Sequence, residues 1–272
     1  MKHETVIGGG GLKLHVAEAG NPAGKPILFI HGFSQCGLAW RKQVESDLAR
    51  DFRLIAMDIR GHGWSDKPPG VYGESKLWAD DVRAVIATLG LERPVLSGWS
   101  YGGVIMSDYV DRHGEDDIAG TSWVGAVSRL GTPLVQDKLI SDEFLAAAVG
   151  SFSQAVGESA PALQRLVRLC VHDDPSPEDS CFFLGCTTLV PPHVRQGMMS
   201  RDVDNDPVVR RMRKPMLLTY GDADDIVPTM GRHVAGLASH ARLSIYPGVG
   251  HAPFWEAPER FNRELRDFRA SV

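Results

Sequence analysis

Cysteine is scarce. The 272 residues hold four, Cys36, Cys170, Cys181 and Cys186, too few to serve as a disulfide scaffold at this length. No two of them are separated by two residues, so the spacing does not match the commonest paired-cysteine zinc site. They are expected to be reduced and mostly buried, in a cytoplasmic protein. Long apolar runs are also missing. No stretch approaches the roughly 20 apolar residues that a membrane span needs, and the opening MKHETVIGGGG lacks the apolar centre of a signal peptide. Positive charge is not in excess: 29 Lys and Arg face 34 Asp and Glu, a net charge of −5. The longest basic run, Arg210 to Lys214, is too short for a phosphate-binding surface, which argues against a nucleic-acid partner. There is no internal repeat. What remains is a chain 43% apolar and 23% charged, enough for an ordinary core.

Along that chain, short apolar runs alternate with helical patterns. Thr5 to Gly20 reads as a hairpin turning at Gly8 to Gly11. Strands are expected at Pro26–Ile30, Arg53–Asp58, Pro94–Trp99 and within Ile118–Val127, and helices at Leu38–Ala49, Ser75–Leu89 (with Ser75 as a possible cap) and Tyr101–His113. The rhythm returns at Pro215–Tyr220, with a helix from Thr229, a strand at Arg242–Tyr246 and a last helix from Pro258. Strand–helix alternation implies an α/β fold with a mostly parallel sheet covered on both faces. The stretch 129–206 has no clear strand, offers helices at Leu139–Val156 and Pro161–Val171, and is broken by prolines. The expected organisation is therefore a core of residues 1–128 and 207–272, with a helical lid at 129–206.

Gly98-Trp99-Ser100-Tyr101-Gly102-Gly103 fits G-x-S-x-G between a strand and a helix, the context in which this turn exposes a nucleophilic serine. A serine hydroxyl needs a base. Ten histidines are available, and His251 stands out in Gly250-His251-Ala252-Pro253-Phe254, between the last strand and the last helix. A carboxylate should orient that imidazole. The loop Gly221-Asp222-Ala223-Asp224-Asp225-Ile226-Val227-Pro228 offers three. Backbone N–H groups for an oxyanion are expected from Tyr101, after the serine, and from Phe33 in the His31-Gly32-Phe33 loop. Lid aromatics Phe144, Phe182 and Phe183, and Trp99 beside the serine, are candidates for a substrate pocket.

Together these motifs resemble the α/β-hydrolase family, specifically its small lid-bearing members. The likeness includes HGF at His31 to Phe33, the Asp58 to Pro68 segment DIRGHGWSDKP, GDADDIVP and GHAPFWEAPERF, and covers most of the chain outside the lid. In such families the acid stands four residues before the loop proline, which here is Asp224; Asp58 and Arg60 correspond to scaffold. The resemblance implies a serine hydrolase with Ser100, Asp224 and His251 as its catalytic set, acting on a small-molecule ester with no metal or organic cofactor. Cofactor-free haloperoxidase or perhydrolase chemistry is the alternative, followed by carbon–carbon bond hydrolysis and a ligand receptor on this fold. Ser100 in place of an elbow aspartate argues against dehalogenase and epoxide-hydrolase chemistry, as does the lack of tyrosine in 129–206.

Overall fold

The run Val95–Trp99 is short, apolar and β-branched at its start, and it becomes a central strand because strands cover both of its edges. In the computed structural model, which describes Met1–Val272, it is β5 of an eight-stranded sheet. The other strands are β1 (Lys2–Ile7), β2 (Lys13–Gly20), β3 (Lys25–Ile30), β4 (Phe52–Met57), β6 (Gly120–Val124), β9 (Met216–Gly221) and β10 (Arg242–Tyr246); a separate two-stranded pair joins β7 (Arg129–Leu130) to β8 (Val203–Asp204). The sheet order is β1-β2-β4-β3-β5-β6-β9-β10. From β4 to β10 all neighbours are parallel, while β1 and β2 add an antiparallel edge. The chain runs from β3 outward to β4, then returns to β5 on the other side. Loops leaving the C-terminal ends of β3 and β5 therefore diverge and leave a crevice, the usual binding position in such sheets.

Two apolar layers sandwich the sheet. Alternate side chains point to opposite faces, so Leu28, Ile30 and Leu96 join one layer with Trp78 and Val104. Phe29 and Trp99 join the other, with Trp40, Phe254 and Phe261. Between β7 and β8 lie five helices: Thr132–Gln136, Asp142–Gly150, Val156–Leu169, Pro177–Thr188 and Pro192–Met199. The β7–β8 pair closes the base of this segment, and it was not visible as strand because two residues a side carry no periodicity. No helix of the molecule is long and apolar enough to cross a membrane.

Four local expectations change, the first being the helix expected over Leu139–Val156, which spans only Asp142–Gly150, capped by the Ser141 hydroxyl. Leu38–Ala49 is not one helix but a 3₁₀ turn at Gly37–Trp40 followed by single turns at Arg41–Val44 and Leu48–Asp51. The Ser46 hydroxyl donates to the Gln43 carbonyl at 2.7 Å and accepts the Leu48 N–H at 3.2 Å, which replaces helical hydrogen bonds locally. Ser75 begins its helix but does not cap it; its hydroxyl accepts from Arg201 Nη2 at 2.7 Å. The helix expected from Pro161 starts at Val156 and carries the proline inside, at the cost of one backbone hydrogen bond.

Candidate active site

At the end of β5 the chain reverses into the helix Gly102–His113 through Ser100, whose φ is 54°. A non-glycine residue in this left-handed region is strained and is held there by its surroundings. The Ser100 N–H donates to the Val124 carbonyl, and the Ser100 carbonyl accepts from Gly103 and Val127, each at 3.0 Å. Neighbouring glycines are required by contact. A Cβ at Gly98 would lie 2.8 Å from the Gly102 carbonyl carbon, and one at Gly102 would lie 2.7 Å from the Ile30 oxygen. Any side chain at either position would push the serine out of the turn.

His251 leaves the loop after β10 and is buried, as is Asp224 in the loop after β9. Asp224 Oδ2 lies 2.8 Å from His251 Nδ1. A carboxylate can only accept, so Nδ1 carries a proton, and in the neutral ring the lone pair is on Nε2. Asp224 Oδ1 accepts the N–H groups of Ile226 and Val227 at 2.8 and 2.9 Å. The neighbouring carboxylates do different things: Asp225 is exposed, and Asp222, also exposed, accepts from Gly248 N–H at 2.7 Å. Of the three acids in this loop, only Asp224 reaches the imidazole.

His251 Nε2 is buried and has no hydrogen-bond partner. Its ring sits against Gly125, where a Cβ would come within 3.0 Å of Nδ1. Gly125 follows Val124, the residue bonded to the Ser100 N–H. The imidazole thus stands beside the elbow with a free acceptor. Ser100 is partly exposed and makes no hydrogen bond through its hydroxyl.

The Phe33 and Tyr101 N–H groups donate to nothing in the protein, and both residues border the same cavity as Ser100. Two buried, neutral imidazoles brace the Phe33 loop. His31 Nδ1–H donates to the Gly32 carbonyl at 2.9 Å, and Nε2 accepts the Ile59 N–H at 3.1 Å. His62 Nδ1–H donates to the Arg60 carbonyl at 2.9 Å, and Nε2 accepts the Ser34 N–H at 3.3 Å. Burial lowers His31 to about 4 and His62 to about 3, because a charged ring would be desolvated and each Nε2 is already an acceptor. Asp58 accepts from Gly37, Trp64 and His15, and Arg60 pairs with buried Asp81 at 2.7 Å. Both are scaffold.

The cavity above Ser100 has a volume of about 320 Å³ and is lined almost wholly by apolar side chains, including Leu134, Ile140, Phe144, Phe152, Met199 and Ile226; Gln196 and Ser200 are polar exceptions. Of the four aromatic residues expected there, Phe144 is present, edge-on to Phe33 at 6.2 Å. The other three need correction. Trp99 points to the opposite face of the sheet, 5.0 Å from Phe254, as strand alternation dictates. Phe182 stacks on Trp255 at 5.4 Å beneath the Arg41 guanidinium, and Phe183 meets the same indole edge-on at 4.6 Å. These two anchor the helical segment to the core, away from the cavity.

One feature of the site was not anticipated. Arg201, completely buried, donates to Asp108 Oδ2 at 2.6 Å and to the Tyr101 hydroxyl at 3.0 Å. It ties the end of the helical segment to the elbow helix and to the residue carrying a free N–H. Burial raises the Tyr101 hydroxyl to about 12, against the pull of Arg201, so it stays protonated. An acid inside GGVIMSDYV, an otherwise apolar helix stretch, was the available signal, since a buried charge requires a partner.

Comparison with known proteins settles the family. Residues 27–264 match the model of the alpha/beta hydrolase family. The chain belongs to the α/β-hydrolase family. This hydrolase superimposes on an esterase from Rhodococcus sp. ECU1013 with a TM-score of 0.94 at 34% identity, with 100% of both chains covered. A putative aryl esterase from Burkholderia cenocepacia gives a TM-score of 0.91 at 33% identity, again over 100% of both chains. In sequence, the chain is 30% identical over 254 residues to a non-heme haloperoxidase of Rhodococcus erythropolis, covering 90% of this chain and 92% of that protein.

Proposed function

We propose that this hydrolase cleaves carboxylic esters through an acyl-enzyme on Ser100. The observation that carries the reading is the buried Asp224–His251 pair, whose unpartnered Nε2 stands beside a serine held at φ 54°. His251 removes the proton as the Ser100 oxygen attacks the ester carbonyl, and Asp224 holds the imidazolium that results. The tetrahedral oxyanion is received by the Phe33 and Tyr101 N–H groups, which need not break existing bonds to turn to it. His251 then protonates the departing alcohol. Water, activated by the same ring, releases the acid. Residues 129–206 act as a lid that supplies most of the apolar wall, so the favoured substrate is uncharged, with an apolar acyl or alcohol group.

The test is an ester panel of graded chain length with wild type and Ser100→Ala. The variant should lose on the order of 10³-fold or more in kcat while remaining folded. Retained turnover would sink the assignment. A second reading, perhydrolysis, is favoured by the likeness to the haloperoxidase. It uses the same acyl-enzyme with peroxide in place of water, and peracid formation from acetate and peroxide, measured beside ester hydrolysis, separates the two.

A further inference from the structure

Cys36 and Cys186 are 150 positions apart, yet their sulfurs lie 3.3 Å from one another. Cys36 belongs to the loop after β3, three residues beyond Phe33; Cys186 stands in the last turn of the helix Pro177–Thr188. Residues adjacent to both are already joined. Gln35 Nε2 donates to the Thr187 hydroxyl at 2.7 Å, and that hydroxyl donates to the Ser34 carbonyl at 2.9 Å. The two backbones are therefore held in register, and the sulfurs need approach by only about 1.3 Å to reach bonding distance.

We propose that this pair is a modification site, a dithiol that a hydroperoxide oxidises to a disulfide linking the core to the helical lid. Both cysteines border a surface cavity of about 110 Å³, roofed by the exposed side chains of Trp64, Leu38 and Leu189. That opening admits a molecule of peroxide size. The thiols are also unequal. The Cys36 thiol donates its hydrogen bond to Cys186, which pulls Cys186 below the ordinary thiol range, while the same bond and burial push Cys36 up. Cys186 is accordingly the attacking group. Its thiolate attacks one peroxide oxygen, the O–O bond breaks, and a sulfenic acid and hydroxide form. Hydroxide takes the Cys36 proton and becomes water. The Cys36 thiolate attacks the sulfenic sulfur, the S–O bond breaks, and a second hydroxide leaves, protonated by the proton Cys186 gave up. Two thiols and one peroxide give one disulfide and two waters, with two electrons passing to the peroxide. The other cysteines are placed differently: Cys181 is exposed, and the Cys170 thiol donates to the Leu166 carbonyl at 3.3 Å.

The test treats the full chain with a small excess of hydrogen peroxide, alkylates the remaining thiols, and maps peptides by mass. A Cys36–Cys186 linked peptide is expected, with a mass about 2 Da below the sum of its two reduced component peptides. Tm should rise by about 5 °C or more, reversed by dithiothreitol, because the bond closes a long loop. In Cys36→Ser the reaction should stop at a sulfenic acid on Cys186, which dimedone captures. Linkage through Cys170 or Cys181, over-oxidation of Cys186 in the wild type, or alkylation of both thiols after peroxide treatment that oxidises Cys181 would each overturn the proposal.

Discussion

The indole Nε1–H of Trp99 donates to the backbone carbonyl of His251 at 2.9 Å. The residue before Ser100 therefore fixes the main chain of His251, across 152 positions of sequence. Trp99 acts from the far face of the sheet, among Trp40 and Phe254. Trp99→Phe keeps an aromatic ring in place and deletes the donor, leaving a small cavity that lowers Tm. It should lower kcat about fivefold, the worth of one buried hydrogen bond, with little change in KM. A fall in KM alone, or no kinetic effect, would contradict this positioning.

Asp224 and Asp225 are adjacent, but only the first touches His251. Asp224→Asn can still accept the Ile226 and Val227 N–H groups, so the loop should persist while the imidazole tautomer is lost. The expected loss in kcat is on the order of 10³ to 10⁴. Asp225→Asn should change kcat less than about twofold, since exposed substitutions away from the site act weakly. Equal losses from the two variants would refute the assignment of the acid.

Phe144 and Phe182 make a matched pair for the pocket. Phe144→Ala enlarges the cavity that Ser100 borders, and should move the preferred ester toward longer or bulkier chains. Phe182→Ala removes a ring stacked on Trp255; it should lower Tm and leave the chain-length profile where it was. The profile of relative kcat/KM over the ester panel decides between them.

His31 and His62 make stability depend on pH. Their folded values, about 4 and about 3, lie below the ordinary value near 6.5. Below pH 6.5 the unfolded chain therefore takes up protons that the folded chain refuses. Their contribution is complete above that pH and is lost as pH falls toward the folded values. By pH 5 the loss is roughly 2 kcal/mol for each ring. Denaturant midpoints measured from pH 7.5 to 5 should fall accordingly, and His62→Asn, less stable at pH 7, should show a shallower slope.

Arg201 and Asp108 form an ion pair with no water contact. Arg201→Met leaves a buried carboxylate without its counter-charge, held only by the Asn205 amide at 3.3 Å, and should cost about 3 kcal/mol, read as a lower denaturant midpoint. Because Tyr101 loses a partner too, kcat should fall by more than KM rises. A variant as stable as the wild type would show that Asp108 is neutral or rehydrated.

The parallel core was legible because its strands are buried on both faces and read as unbroken apolar runs, as in PILFI and PMLLTY. Ser100 was legible because a serine set among glycines between a strand and a helix is a local pattern, although part of the crowding that requires those glycines comes from distant chain, as at Gly102 against Ile30. Asp224 was only partly so. Three acids share one loop, and what separates them is the direction of each side chain after β9, which periodicity does not carry.

The pocket lay outside what one-dimensional pattern can supply. Phe144 and Phe182 are both aromatic residues on helices of the 129–206 segment, yet one faces the cavity and the other Trp255, because helix docking, rather than composition, sets which side turns inward. The same holds for Arg201, whose partner Asp108 is 93 residues away, and for the two sulfurs of Cys36 and Cys186. By itself the sequence determined the fold class and the residue types of the candidate site, since these follow from local periodicity and turn chemistry. The tertiary structure alone decided which distant side chains meet, since burial pairs charges and thiols through space without regard to their order in the chain.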